Sequence, residues 1–102
     1  MKNDLAVFEE HQIRRVYDEE TETWFFSVID IVAALTNQDD YGLARNYWKV
    51  LKHRLSQEGS EVVTNCNQLK MIAEDKKMRL TDVADTQTVF RLIQSKIGRA
   101  HV

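Results

Sequence analysis

Between Tyr41 and Gln57 the chain reads YGLARNYWKVLKHRLSQ, a stretch with cations and no carboxylate. At helical spacing Arg45, Lys49, Lys52 and Ser56 share one flank, beside a core-facing stripe of Ala44, Trp48, Leu51 and Leu55. Lysines on a helix are usually just solvated. Here no Glu or Asp stands one turn away to pair with them, which leaves their charge for an external anion, and the phosphate backbone of a nucleic acid is the commonest such partner. Asn46 and His53 lie further round the same helix, where an asparagine can read adenine edges if the helix enters a major groove. Trp48 belongs to the core stripe, whereas Tyr47 can be core or can stack on a base. A second basic group, Lys70, Lys76, Lys77 and Arg79, is partly balanced by Glu74 and Asp75. The expected DNA contacts are therefore Arg45, Asn46, Lys49, Lys52 and His53 on the helix, then Lys70, Lys77 and Arg79.

Other chemistries find little support. His11, His53 and His101 are scattered and Cys66 has no ligand-spaced partner, so no zinc site or other metal is expected. Asp82 and Asp85 suit the start of a helix, where carboxylates complement the dipole, and they form no convergent nuclease set. Phosphate-cradling glycine loops and nucleophile motifs are missing. Cys66, between two asparagines, reads as a plain loop thiol. The expectation is a binding protein with no catalytic residues and no cofactor.

The elements that must hold these residues can be read from pattern. Ala6–Phe8 is a short strand candidate. Gln12–Tyr17 and Thr23–Ser27 are rich in β-branched and aromatic residues and flank the acidic turn Asp18–Glu22, which predicts a hairpin with an acidic tip. Trp24, Phe25 and Phe26 run consecutively, so that strand is covered on both faces or enters the core at its end. Arg14 and Arg15, adjacent on a strand, point to opposite faces. Ser27 starts a helix, with Asp30 completing an S-x-x-D box and Val28, Ile31, Val32 and Leu35 forming its buried stripe. The basic helix follows and stops at Gly59. Residues 60–68 read as loop. Leu69–Ala73 and Met78–Thr81 form a second hairpin, expected to have one apolar side (Leu69, Met71, Ala73, Met78 and Leu80) and one mainly basic side. A last helix begins near Asp85 or Thr86, with Val89, Leu92 and Ile93 inward and Phe90 alongside. The fold class is α+β: two β-hairpins packed with three α-helices in a single small domain.

Composition is consistent with that picture. The chain has 102 residues, 43% of them hydrophobic, with no proline and three glycines, which fits one packed core without a linker. No apolar run is long enough to cross a bilayer, no signal peptide is visible, and one cysteine fits a reducing compartment. A cytoplasmic, bacterial location is expected. The formal net charge is only -2, but it is unevenly spread: residues 1–40 carry three basic and ten acidic side chains, residues 41–102 eleven basic and six acidic. Such a lopsided field can orient a domain on DNA; the plainer alternative is that the acidic half keeps the protein soluble.

Four phrases in order, IRRVYDEETETWFFSVIDIVAALT, ARNYWKVLKHRLSQEGSE, QLKMIAEDKKMRLTDVADT and TVFRLIQS, resemble the Bro-N domain. That domain is found in baculovirus Bro proteins, phage antirepressors and DNA-damage-inducible protein D. The resemblance runs from about Val7 to Ser95. It implies a small α+β domain that binds double-stranded DNA in viral or prophage gene control, and no catalytic residues. The alternative function is a protein-interaction module that seizes a phage repressor, with the acidic tip Asp18–Glu22 mimicking DNA. After Ser95 the chain departs from the family pattern. Its last residues, KIGRAHV, are what a common sequencing adapter encodes when read through. Residues 1–95 are thus expected to be the domain and 96–102 a non-native tail, with a closing element missing and some apolar surface uncovered.

Overall fold

A computed structural model describes the backbone of residues 2–8, and residues 11–73 and 75–94 in full. The tail expected at 96–102 lies outside the described residues. The chain runs β1 (Lys2–Phe8), β2 (His11–Asp18), β3 (Thr23–Ser27), α1 (Val28–Leu35), α2 (Tyr41–Gln57), α3 (Glu61–Thr64), β4 (Asn67–Ile72), β5 (Met78–Asp85) and α4 (Thr86–Gln94). Both expected hairpins form, and they join: the five strands make one antiparallel sheet in the order β1-β2-β3-β5-β4. The α+β class holds. The one-turn helix α3 occupies part of the span read as loop, because Ser60 caps it at Val62 N and Val62 is buried.

Local chemistry explains the helix ends. Ser27 Oγ accepts from the Asp30 amide and starts α1; Asp40 Oδ1 accepts from the Gly42 and Leu43 amides and starts α2. Gly59, at φ 73°, turns the chain out of α2 while the Ser60 amide donates to the Leu55 carbonyl. Asp85 Oδ1 accepts from Thr88 N at the start of α4. Asp82 lies within β5 and does not cap α4.

The helices lie on one face of the sheet. Val28 and Val32 of α1, Trp48, Leu51 and Leu55 of α2, Val62, Ala84 of β5 and Leu92 of α4 form the main core. Ile13 and Phe26 meet Ile31 and Ala34 of α1 on the same side. The opposite face is also sealed, since Val16, Phe25, Leu69, Met71 and Val83 pack together there. The strand with consecutive aromatics is therefore covered on both faces: Phe26 under α1, Phe25 in the opposite cluster. Trp24 stacks near Tyr17 (centroids 5.2 Å apart) and under the Arg15 guanidinium at 4.2 Å. Phe90, expected alongside the inward face of α4, is instead exposed, while Thr88 takes a buried place.

Asp30 does not complete a capping box with its side chain. Its buried carboxylate receives a bidentate donation from Arg14, whose Nε and Nη2 lie 2.9 and 3.0 Å away, and the Arg14 amide at 2.7 Å. Arg14 also reaches Ser27 Oγ and the Ile72 carbonyl. One guanidinium thus ties β2, the start of α1 and the end of β4.

Candidate nucleic-acid interface

Helix α2 has four longitudinal faces. Ala44, Trp48, Leu51 and Leu55 are buried as the spacing predicts. The helical repeat sets Arg45, Lys49 and Lys52 on one flank, Asn46 and His53 on the outer crest, and Leu43, Tyr47, Val50 and Arg54 on the other flank. Arg45, Asn46, Lys49 and His53 are exposed. The cationic flank turns toward the β4–β5 hairpin.

Lys52 departs from expectation. Its Nζ donates to Asp82 Oδ2 at 2.8 Å, and the ammonium also sits 5.6 Å from the Trp48 ring centre. The acid-free neighbourhood read from the helix holds along the chain but not in space, because β5 brings Asp82 alongside. Asp82 also accepts from Trp48 Nε1 at 2.7 Å and from Gln68 Nε2 at 3.0 Å. Burial pushes this carboxyl up, but the donations from Lys52, Trp48 and Gln68 outweigh it and hold the group below the ordinary aspartate value. Asp82 therefore stays charged and anchors α2 to the sheet. Lys52 is 40% exposed and its charge is already neutralised.

The second hairpin is not divided as expected. Its register pairs Lys70 with Leu80, Ile72 with Met78, Leu69 with Thr81 and Met71 with Arg79. Opposed residues share a face, so Leu69 and Met71 lie with Arg79, while Lys70 lies with Met78 and Leu80. The apolar side and the basic side of the sequence reading do not exist. The reason is the turn. Three residues separate Ala73 from Lys77, which exchange a bond (Ala73 N to Lys77 O, 2.8 Å), and Lys76 adopts φ 69°. An odd loop reverses the parity that a four-residue turn would give.

The structure thus gathers some expected residues and separates others. Lys70 stands on the same sheet face as Gln68 and Asp82, two residues along β4 from Gln68, so it extends the side of the molecule that carries Arg45, Lys49 and Lys52. Arg79 lies on the opposite face and is ion-paired with Asp75. That contact raises the guanidinium and lowers the carboxyl from their ordinary values, mainly through the hydrogen bond between them. Lys77 is exposed at the turn, opposite Ala73 and on the Arg79 side of the hairpin. Asp82 and Gln68, the link between helix and hairpin, were not legible as partners, since nothing in their spacing reports a contact across fourteen residues of chain or more.

The other flank of α2 leads to a cavity of about 400 Å³ bordered by Gln38, Leu43, Tyr47, Val50, Leu51 and Arg54. Leu43 is 54% and Val50 63% exposed. Tyr47, left open by the sequence, stands here and not among the core side chains. Cys66 donates to the Val62 carbonyl at 3.2 Å, and burial, reinforced by Asp82, pushes its thiol up to about 11. It is a protonated structural thiol at neutral pH. Among the described residues no group of three or more His, Cys, Asp or Glu is arranged to hold a metal ion, and no helix is long and apolar enough to cross a membrane. Compared with known proteins, the chain matches no family model, no curated protein and no solved structure.

Proposed function

We propose that this chain is a DNA-binding regulatory domain of the Bro-N kind, working in phage or prophage gene control in the bacterial cytoplasm. The supporting observation is the exposed cationic flank of α2, which carries Arg45 and Lys49 and is tied through Lys52 to Asp82, on the sheet face that also carries Lys70. Arg45, Lys49 and Lys70 supply phosphate contacts, and Asn46 and His53 on the crest are placed for base edges. Lys52 is a weaker contributor because each phosphate it meets competes with Asp82. Arg79, and Lys77 two residues before it on the same face, are set aside from this surface.

If about four phosphates are neutralised, log K falls against log salt with a slope of roughly -3.6. Replacing Arg45 and Lys49 together by alanine removes two contacts, so the slope flattens to roughly -1.8. Fluorescence anisotropy with random duplex over a salt series reads both. Unchanged affinity and slope in the folded double variant would refute the assignment of this flank.

A second reading has its own observation. The exposed apolar flank Leu43, Tyr47 and Val50, with its cavity, is suited to a protein partner, as an antirepressor requires. The acidic turn after β2 also exposes Glu19, Glu20 and Glu22. Failure of the protein to retard duplex DNA at micromolar concentration in low salt, with capture of a phage repressor abolished by Val50→Glu, would favour this reading over the first.

A further inference from the structure

The outer half of the second hairpin carries a feature that the phosphate-binding flank does not use. On the helix-bearing face of the sheet, α2 is fastened to β5 at Asp82 through Trp48 and Lys52, and Gln68 of β4 donates to the same carboxylate. Beyond that point the same face is bare. Ile72, Met78 and Leu80 are 50%, 49% and 63% exposed, and the register sets Ile72 directly opposite Met78 and Lys70 directly opposite Leu80. Directly opposed side chains on one face touch, so these form a contiguous apolar patch and not scattered surface residues. Residues 75–80 are all exposed, so the outer end of β5 projects from the core on both faces.

Charge decides what fits such a patch. Lys70 stands within it, Lys76 and Lys77 stand at the turn, and Arg45 and Lys49 lie on the same side of the molecule. The described carboxylates of the hairpin are engaged: Asp75 by Arg79, Asp82 by its three donors and Asp85 by the Thr88 amide. An apolar ridge flanked by cations suits a partner with an anionic exterior and an apolar, stacked interior. Duplex DNA is that partner. A two-stranded ribbon is narrow enough to enter a groove, and Leu, Ile and Met are side chains that proteins insert between base steps.

We propose that the β4–β5 hairpin is a wedge, in which Leu80 and Met78, supported by Ile72, enter a base step of bound DNA and partly unstack it while Lys70 holds the adjacent phosphate. The proposal rests on the DNA-binding reading above and adds a deformation of the duplex to it. A wedge selects sites by flexibility, so pyrimidine–purine steps are favoured over A-tracts without base-edge hydrogen bonds.

The test uses the full chain and duplexes carrying 2-aminopurine at a central TA step, with anisotropy reporting binding and 2-aminopurine fluorescence reporting unstacking. Binding of the unaltered protein should brighten the probe. The Met78→Ala/Leu80→Ala variant should lose the brightening, keep the salt slope and bind within about tenfold, since phosphate contacts supply most of the affinity. Leu80→Lys is a second variant that alters only an exposed position; it should bind at least as tightly yet leave the probe dark. Binding without brightening by the unaltered protein, or equal brightening by a folded variant, overturns the wedge and leaves the phosphate-binding flank standing. Absence of any binding by the unaltered protein overturns both.

Discussion

Asp82→Ala is the most telling single change for the architecture. The carboxylate accepts from Trp48 Nε1, Lys52 Nζ and Gln68 Nε2 at 2.7, 2.8 and 3.0 Å. Trp48 is only 2% exposed, so removing the acceptor strands its N–H, at a cost of about 1–3 kcal/mol. Lys52 is 40% exposed and returns to water, so its share is discounted to under about 1 kcal/mol. Gln68 is exposed and its amide re-solvates. Together these give a loss of about 2 kcal/mol, which lowers Tm by roughly 8–16 °C in a domain of this size. Asp82→Asn keeps an acceptor for Trp48 and should lose about half as much. The pH dependence carries a further signature. Because the folded carboxyl lies below its ordinary value, it stabilises the fold above the unfolded aspartate value and that stability is lost as pH falls through the folded value. The acid limb of a stability–pH profile should therefore be shallower in Asp82→Asn. Thermal and urea unfolding measure all of this. A change under about 0.5 kcal/mol in Asp82→Ala, or an unaltered acid limb in Asp82→Asn, would refute the anchoring role.

The same variants report on function, because Asp82→Asn releases Lys52: the salt slope of DNA binding should steepen by roughly 0.9 if Lys52 then meets a phosphate. Arg14→Met leaves the Asp30 carboxylate buried without its guanidinium partner and should destabilise by about 3–5 kcal/mol, whereas Arg14→Met/Asp30→Leu should recover much of that in chemical denaturation. With its thiol pushed up to about 11, Cys66 should react with a disulfide reagent at neutral pH about 100-fold more slowly in the folded protein than in urea; equal rates would contradict its burial.

Much of this protein follows from short-range patterns. The burial stripe of α2, the Ser27 start of α1, the Gly59 exit and the positions of both hairpins depend on side chains a few residues apart, and 3.6- and 2-residue periodicities register them directly. The cationic flank is legible for the same reason. Partnerships across the fold are not. Lys52 looked unpaired because Asp82 is thirty residues away along the chain, and Arg14 found Asp30 through sheet and helix geometry that no spacing encodes. The hairpin faces turned on the length of one loop: with three residues between Ala73 and Lys77, Leu69 and Met71 oppose Thr81 and Arg79, and the apolar pair Met78 and Leu80 is left on the other side. Alternation along a strand determines which residues share a face within it. Only pairing with its neighbour decides which faces coincide, and so which cations stand together on one surface.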